Sequence, residues 1–102
     1  MVKEINTNNF DDEIKEGKVL VDMFATWCGP CRMLHPVLDE LEKEYTDVKF
    51  VGVDCDDESD VAEKFNVTNI PCVVLLKDGK EVARSVGFRP KNSMAAFIEE
   101  NK

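Results

Sequence analysis

Trp27-Cys28-Gly29-Pro30-Cys31, directly behind the apolar run from Val19 to Ala25, is the stretch from which the fold is read. A strand-like run ends there and a helical pattern begins. Its apolar positions, Met33, Leu34, Val37, Leu38 and Leu41, recur at the spacing of one helix face. Cys28 therefore stands at a helix N-terminus, where free backbone N–H groups and the positive end of the macrodipole favour an anion. A thiol held there ionises below its ordinary value of about 8.5. Pro30 suits the first turn, where its missing N–H costs nothing. Two cysteines separated by two residues share a helical turn, so their sulfurs can meet, and the tight Gly29-Pro30 link leaves Cys31 the less exposed. The residues read as an attacking thiolate, Cys28, backed by a resolving thiol, Cys31.

Outward from this stretch the chain alternates strand and helix. Val19 to Ala25 is apolar on both faces, as a central strand covered by helices is. Upstream, Val2 to Ile5 is a short strand, and Thr7 or Asn8 is placed to cap a helical segment around Phe10 to Ile14, with Gly17 as its stop. Downstream, a helix is predicted from Cys31 to about Tyr45, kinked at Pro36. Val48 to Asp54 is a second buried strand, and Asp56-Asp57-Glu58 opens a helix over Ser59 to Asn66. After Ile70-Pro71 comes the apolar strand Cys72 to Lys77. Asp78-Gly79 signals a hairpin that returns Glu81 to Val86 antiparallel, and Gly87 ends that strand. The last helix starts at Pro90 to Asn92, with Met94, Phe97 and Ile98 as its apolar stripe. The order β-α-β-α-β-α-β-β-α makes an α/β fold: a mixed five-stranded sheet, its first three strands parallel, with four helices on its two faces.

With 102 residues, the chain is expected to be one domain over residues 1–102. A net charge of −8 argues against a nucleic acid or an anionic membrane as partner. No apolar run approaches the roughly 20 residues that span a bilayer. Met1-Val2-Lys3-Glu4 carries no apolar h-region, so a signal peptide is not expected. Four cysteines in such a chain point to redox or metal chemistry rather than a disulfide framework, and to a reducing cytoplasm.

With motif and element order in place, the chain resembles the thioredoxin family from about Val2 to Ile98. The resemblance rests on the pentapeptide Trp27 to Cys31 behind Val21-Asp22-Met23-Phe24-Ala25, on Pro36, on Ile70-Pro71 matching the family's cis-proline loop, on Lys77-Asp78-Gly79 at the hairpin, and on Val86-Gly87. It implies the thioredoxin fold and reduction of protein disulfides: Cys28 attacks, a mixed disulfide forms, and Cys31 resolves it. It also implies re-reduction by a thioredoxin reductase, no cofactor, no metal, and a monomer. Asp22 is the one acid in the strand Val19 to Phe24, and a desolvated carboxyl can exchange protons near neutrality. By resemblance it is the buried acid/base for Cys31; the plain alternative is an acid reaching solvent at the strand's end. A cis Pro71 would set the Ile70 backbone opposite Cys28 to bond an extended substrate. Trp27, Gly29, Pro30, Ile70, Gly87 and Phe88 would frame the groove.

The chain departs from the family at several positions. Cys72 stands where most members carry threonine, close to the Cys28–Cys31 pair by resemblance, either as an inert buried thiol or as a third participant. Cys55 lies among acids that raise its pKa. Phe50 stands where many members place a lysine near the buried acid, while Lys49 should point to the other face. Asp22 should then be harder to ionise. His35 lies one turn beyond Cys31, able to touch it, and reads either as a half-exposed helix residue or as a modulator of that thiol. Arg32, one turn beyond Cys28, reads as a surface cation.

Two other functions compete with disulfide reduction. Cys28, Cys31, Cys72 and Cys55 could bind a metal or cluster, although a second CxxC is lacking. The groove could also serve a binding module whose redox chemistry is incidental. An oxidising or isomerising member of the fold would fit Gly29-Pro30 less well than a reductant does.

Overall fold

Strand β2 (Lys18–Phe24) is buried from Val19 onward, on both faces, because it lies at the middle of the sheet. The structure, a computed structural model, describes residues 2–102. The other strands are β1 (Lys3–Glu4), β3 (Val48–Asp54), β4 (Cys72–Lys77) and β5 (Lys80–Val86). The sheet order is β1-β3-β2-β4-β5. β1, β3 and β2 run parallel, with Asp22 beside Gly52, and β4 lies antiparallel to both β2 and β5. This is the mixed sheet the element order requires, since helical crossovers join parallel strands and a tight turn joins antiparallel ones.

Four helices cover the sheet: α1 (Phe10–Ile14), α2 (Gly29–Glu44), α3 (Ser59–Lys64) and α4 (Lys91–Asn101). Alternation along the strands sorts the core into two layers. Val19, Val21, Met23, Val51 and Val53 meet Phe10 and Ile14 of α1 and Val61 of α3. Leu20, Phe50, Val73 and Leu75 meet Leu34, Leu38 and Leu41 of α2 and Met94, Phe97 and Ile98 of α4. Phe50 is core, and Lys49 points the other way, where its ammonium and that of Lys3 both bind the Glu13 carboxylate.

Strand ends shift by at most a residue from the sequence reading, and three helix boundaries differ from it. α2 begins at Gly29, not Cys31, because Cys28 takes the extended N-cap conformation and its Sγ accepts the Cys31 N–H. The expected cap of α1 at Thr7 or Asn8 is not formed. Asn9 occupies the N-cap position without a side-chain cap bond, while Asn6 and Asn9 bond each other's backbone N–H groups and Thr7 donates to Glu58. α3 stops at Lys64, and Asn66 then takes a positive φ of 54°, a conformation asparagine tolerates. The Asp78-Gly79 turn has φ of 51° and 84°, the left-handed pair that fits a two-residue hairpin.

Candidate functional site

The C-terminal end of β2 delivers the chain into the cysteine stretch. Ala25 O accepts the Cys28 N–H at 3.2 Å, Cys28 O accepts from Arg32 at 3.1 Å, and α2 continues from there. Cys28 and Cys31 form a disulfide with Cα atoms 5.2 Å apart. Cys31 is fully buried, as its place inside the first turn requires. Cys28 is 5% exposed, more enclosed than a free N-terminal thiol, because its Sγ turns inward to the Cys31 N–H at 3.2 Å. Both pack with Phe24, Ala25 and Ile70. Arg32 is exposed, as a surface cation is, and its guanidinium donates to Thr26 O at 2.9 Å, tying the loop before Cys28 to the helix after it.

A second loop faces this pair. The Ile70-Pro71 bond is cis, and the Ile70 carbonyl oxygen lies 4.0 Å from Cys28 Sγ. Gly87, at φ 94°, donates its N–H to Pro71 O at 2.8 Å, so the end of β5 lies against the cis-proline loop. A side chain at that φ would be strained. Arg89 anchors the segment between β5 and α4, its Nε donating to the buried Ser85 at 2.7 Å with the guanidinium over the Phe97 ring. Trp27 is 68% exposed, with its indole N–H donated to Asp56 at 2.7 Å. Met33, Val86 and Phe88 are further exposed apolar residues.

Asp22 sits one layer below, 2% exposed on the α2 face of β2. Burial is the main force on its carboxyl and raises its pKa, against a smaller opposing effect of His35. His35 Nε2 lies 3.3 Å from Asp22 Oδ2, and Oδ1 has no partner among the described residues. His35, read as able to touch Cys31 or as a half-exposed helix residue, is half-exposed and lies against Asp22, with its ring edge-on to Phe24 at 4.8 Å. The carboxylate in turn raises the His35 pKa. Phe50 offers no cation from β3, and the group that the structure places beside the carboxyl is the titratable imidazole of His35 from the helix above.

The two remaining thiols lie elsewhere. Cys72 is buried with Met23, Val53 and Val61, beside Cys55, in the layer under α1 and α3, not in the cluster that holds Cys28 and Cys31. Register explains this: Cys72 pairs with Met23, whose side chain points to that layer. Burial, with Asp54 second, pushes the Cys55 thiol up to about 11, and burial raises Cys72 as well. Among the described residues no three His, Cys, Asp or Glu side chains are grouped to hold a metal ion. No helix of the described residues is long and apolar enough to cross a membrane.

Sequence reasoning singles out Cys28, Cys31, Asp22 and Pro71 but not Asp56 or Arg89. Asp56 lies in an acidic run with no local sign that one carboxylate would reach the Trp27 indole. Arg89 carries no signal, since its partners Ser85 and Ser93 matter only once β5 and α4 are packed.

Known proteins share this geometry and sequence. A family model described as Thioredoxin matches residues 1–100. A thioredoxin of Chlamydia trachomatis is 46% identical over 102 residues, covering all of both chains. One of Bacillus subtilis is 44% identical over 94 residues, 91% of this chain and 90% of the relative. Mitochondrial thioredoxin 3 of Saccharomyces cerevisiae, solved in its oxidised form, is similar with a TM-score of 0.88 at 36% identity, covering 97% of this chain and 94% of that one.

Proposed function

The chain belongs to the thioredoxin family, and from that premise we propose how its Cys28–Cys31 couple divides the labour of reducing protein disulfides. The chain is a thiol–disulfide oxidoreductase, and its cysteine pair is the redox-active centre. Cys28 is the nucleophile: its thiolate attacks one sulfur of a substrate disulfide, forms a mixed disulfide and expels the other sulfur as a thiolate. Cys31 then gives its proton to Asp22 and attacks Cys28 Sγ. The substrate's second thiolate leaves and the Cys28–Cys31 disulfide closes, two electrons having passed to the substrate. Water supplies the protons that the two departing thiolates take up.

The observation that carries this reading is the disulfide at the N-terminus of α2, with the cis-proline carbonyl of Ile70 facing Cys28. That helix end stabilises the Cys28 thiolate as nucleophile and as leaving group. The Ile70 backbone and Gly87 would align an extended substrate chain, with Trp27, Gly29, Pro30 and Phe88 as its apolar contacts. A thioredoxin reductase returns the two electrons. The protein acts as a monomer in the cytoplasm, needs no cofactor, and leaves Cys55 and Cys72 out of the cycle.

Equilibration in a thiol/disulfide buffer, with free thiols trapped, tests this. Wild type should cycle as one two-electron pair at a reducing potential. The pair should vanish in Cys28→Ser and persist unchanged in Cys72→Ser. A shifted potential in Cys72→Ser would bring the third thiol into the mechanism and overturn this division.

A further inference from the structure

Asp22 is 2% exposed on the central strand, at the wall of a partly open cavity. A titratable side chain, His35, lies against the carboxyl and reaches the surface. His35 holds Nε2 3.3 Å from Asp22 Oδ2, while 40% of its side chain remains exposed. Phe24 braces the ring from the side, edge-on at 4.8 Å. Together with Val2, Glu4, Leu38, Asp39 and Gly52 these residues line a cavity of about 140 Å³.

We propose that His35 is a positioning residue for Asp22, whose imidazole takes up a proton from solvent when Asp22 ionises and releases one when Asp22 is protonated. This rests on the reading of Asp22 as the proton acceptor for Cys31. The proton count closes in both directions. In the dithiol state Asp22 is a carboxylate and His35 an imidazolium, with Nε2–H donated to Oδ2. When Cys31 attacks, its proton passes to Asp22, and the imidazolium gives one proton to water. The pair changes from carboxylate and imidazolium to acid and neutral imidazole, with zero net charge throughout. On re-reduction Asp22 returns its proton to Cys31, and His35 takes one from water. The physical reason is desolvation: an uncompensated carboxylate on β2 is costly, and a neighbouring cation removes much of that cost.

The surrounding charges favour this exchange. Asp39, on α2, and the exposed Glu4, on β1, both raise the His35 pKa, as Asp22 does more strongly, while burial lowers it. Asp39 also raises Asp22, and accepts the Val2 N–H at 3.0 Å. The thiols of Cys55 and Cys72 feel the Asp22 charge from the other layer. Against the larger effect of burial, His35 is the neighbour that lowers the Asp22 pKa.

The test isolates the resolving step: release of a chromogenic thiol from a mixed disulfide on Cys28, timed across pH. His35→Gln keeps an N–H for Asp22 but cannot titrate. It should slow release roughly tenfold near neutrality and move the pH inflection upward. His35→Ala should behave alike and regain rate with added imidazole. As His35 is the one histidine of the chain, its proton resonance can be tracked directly, and in Asp22→Asn its titration should fall to lower pH. Asp22→Asn with a wild-type rate and pH profile would remove Asp22 from the reaction. Slow release in Asp22→Asn, with a wild-type pH profile in both His35 variants, would overturn the His35 proposal alone.

Discussion

At Asp22, burial raises the carboxyl pKa, so the folded protein binds that proton more tightly than the unfolded chain does. Stability therefore declines as pH rises from the ordinary carboxylate range toward the folded value and is level above it. Asp22→Asn removes this cost. Urea denaturation of the oxidised protein at pH 8 should show a gain of about 1–3 kcal/mol, since each unit by which burial raises the carboxyl pKa costs about 1.4 kcal/mol of stability. The gain should shrink as pH is lowered, disappearing where the carboxyl is protonated in both states. A gain that stays constant with pH would mean that ionisation is not its source. The free thiols make a second expectation. With its thiol pushed to about 11, chiefly by burial, Cys55 should react only slowly with iodoacetamide at pH 8. The reaction should be at least about a hundredfold slower than that of a peptide thiol. Cys72 should react only on unfolding, and mass spectrometry of the alkylated oxidised protein reads both.

Helix α2 carries two functions on one element. Its N-terminus holds the cysteine pair, and Leu34, Leu38 and Leu41 bury its inner face under the sheet. Because the apolar stripe extends well past the first turn, stability and redox chemistry are separable along the helix. Leu41→Ala should cost about 2–5 kcal/mol in denaturant unfolding, as a buried leucine truncation does. It should leave the potential of the Cys28–Cys31 couple unchanged in the folded protein. A shifted potential would show that packing at the C-terminal half of α2 governs the site. Pro36 stands inside this helix and withholds an N–H from the Arg32 carbonyl. Arg32 meanwhile holds Thr26, so the turn carrying Cys28 is tied to the helix by a side chain.

For the molecule as a whole, a net charge of −8 steers encounters toward basic partner surfaces. The second-order rate of reduction of a basic protein disulfide should fall as salt rises from about 10 mM to 150 mM, because the screening length shortens to about 8 Å. A neutral small-molecule disulfide should show little change under the same stopped-flow conditions. Equal salt dependence for both would place the effect at the cysteines rather than in the encounter.

Local patterns were enough to establish much of this. The apolar run Val19 to Ala25, the Trp27 to Cys31 stretch and the left-handed Asp78-Gly79 turn each declare themselves within a few residues, because strand period, helix capping and turn chemistry are short-range. They gave the element order, the parallel and antiparallel pairings and the redox pair. Tertiary structure decided the rest. His35 was legible as a helix residue one turn beyond Cys31, yet its partner is Asp22, brought to it by packing α2 on β2. Cys72 comes directly after Pro71 in sequence, but the pleat of β4 turns it into the layer of Cys55. Trp27 finds Asp56 across 29 positions, and Arg89 finds Ser85 and Ser93 only through the packing of β5 against α4. A backbone pattern is written in neighbouring residues; which charged and polar side chains meet depends on how whole elements pack.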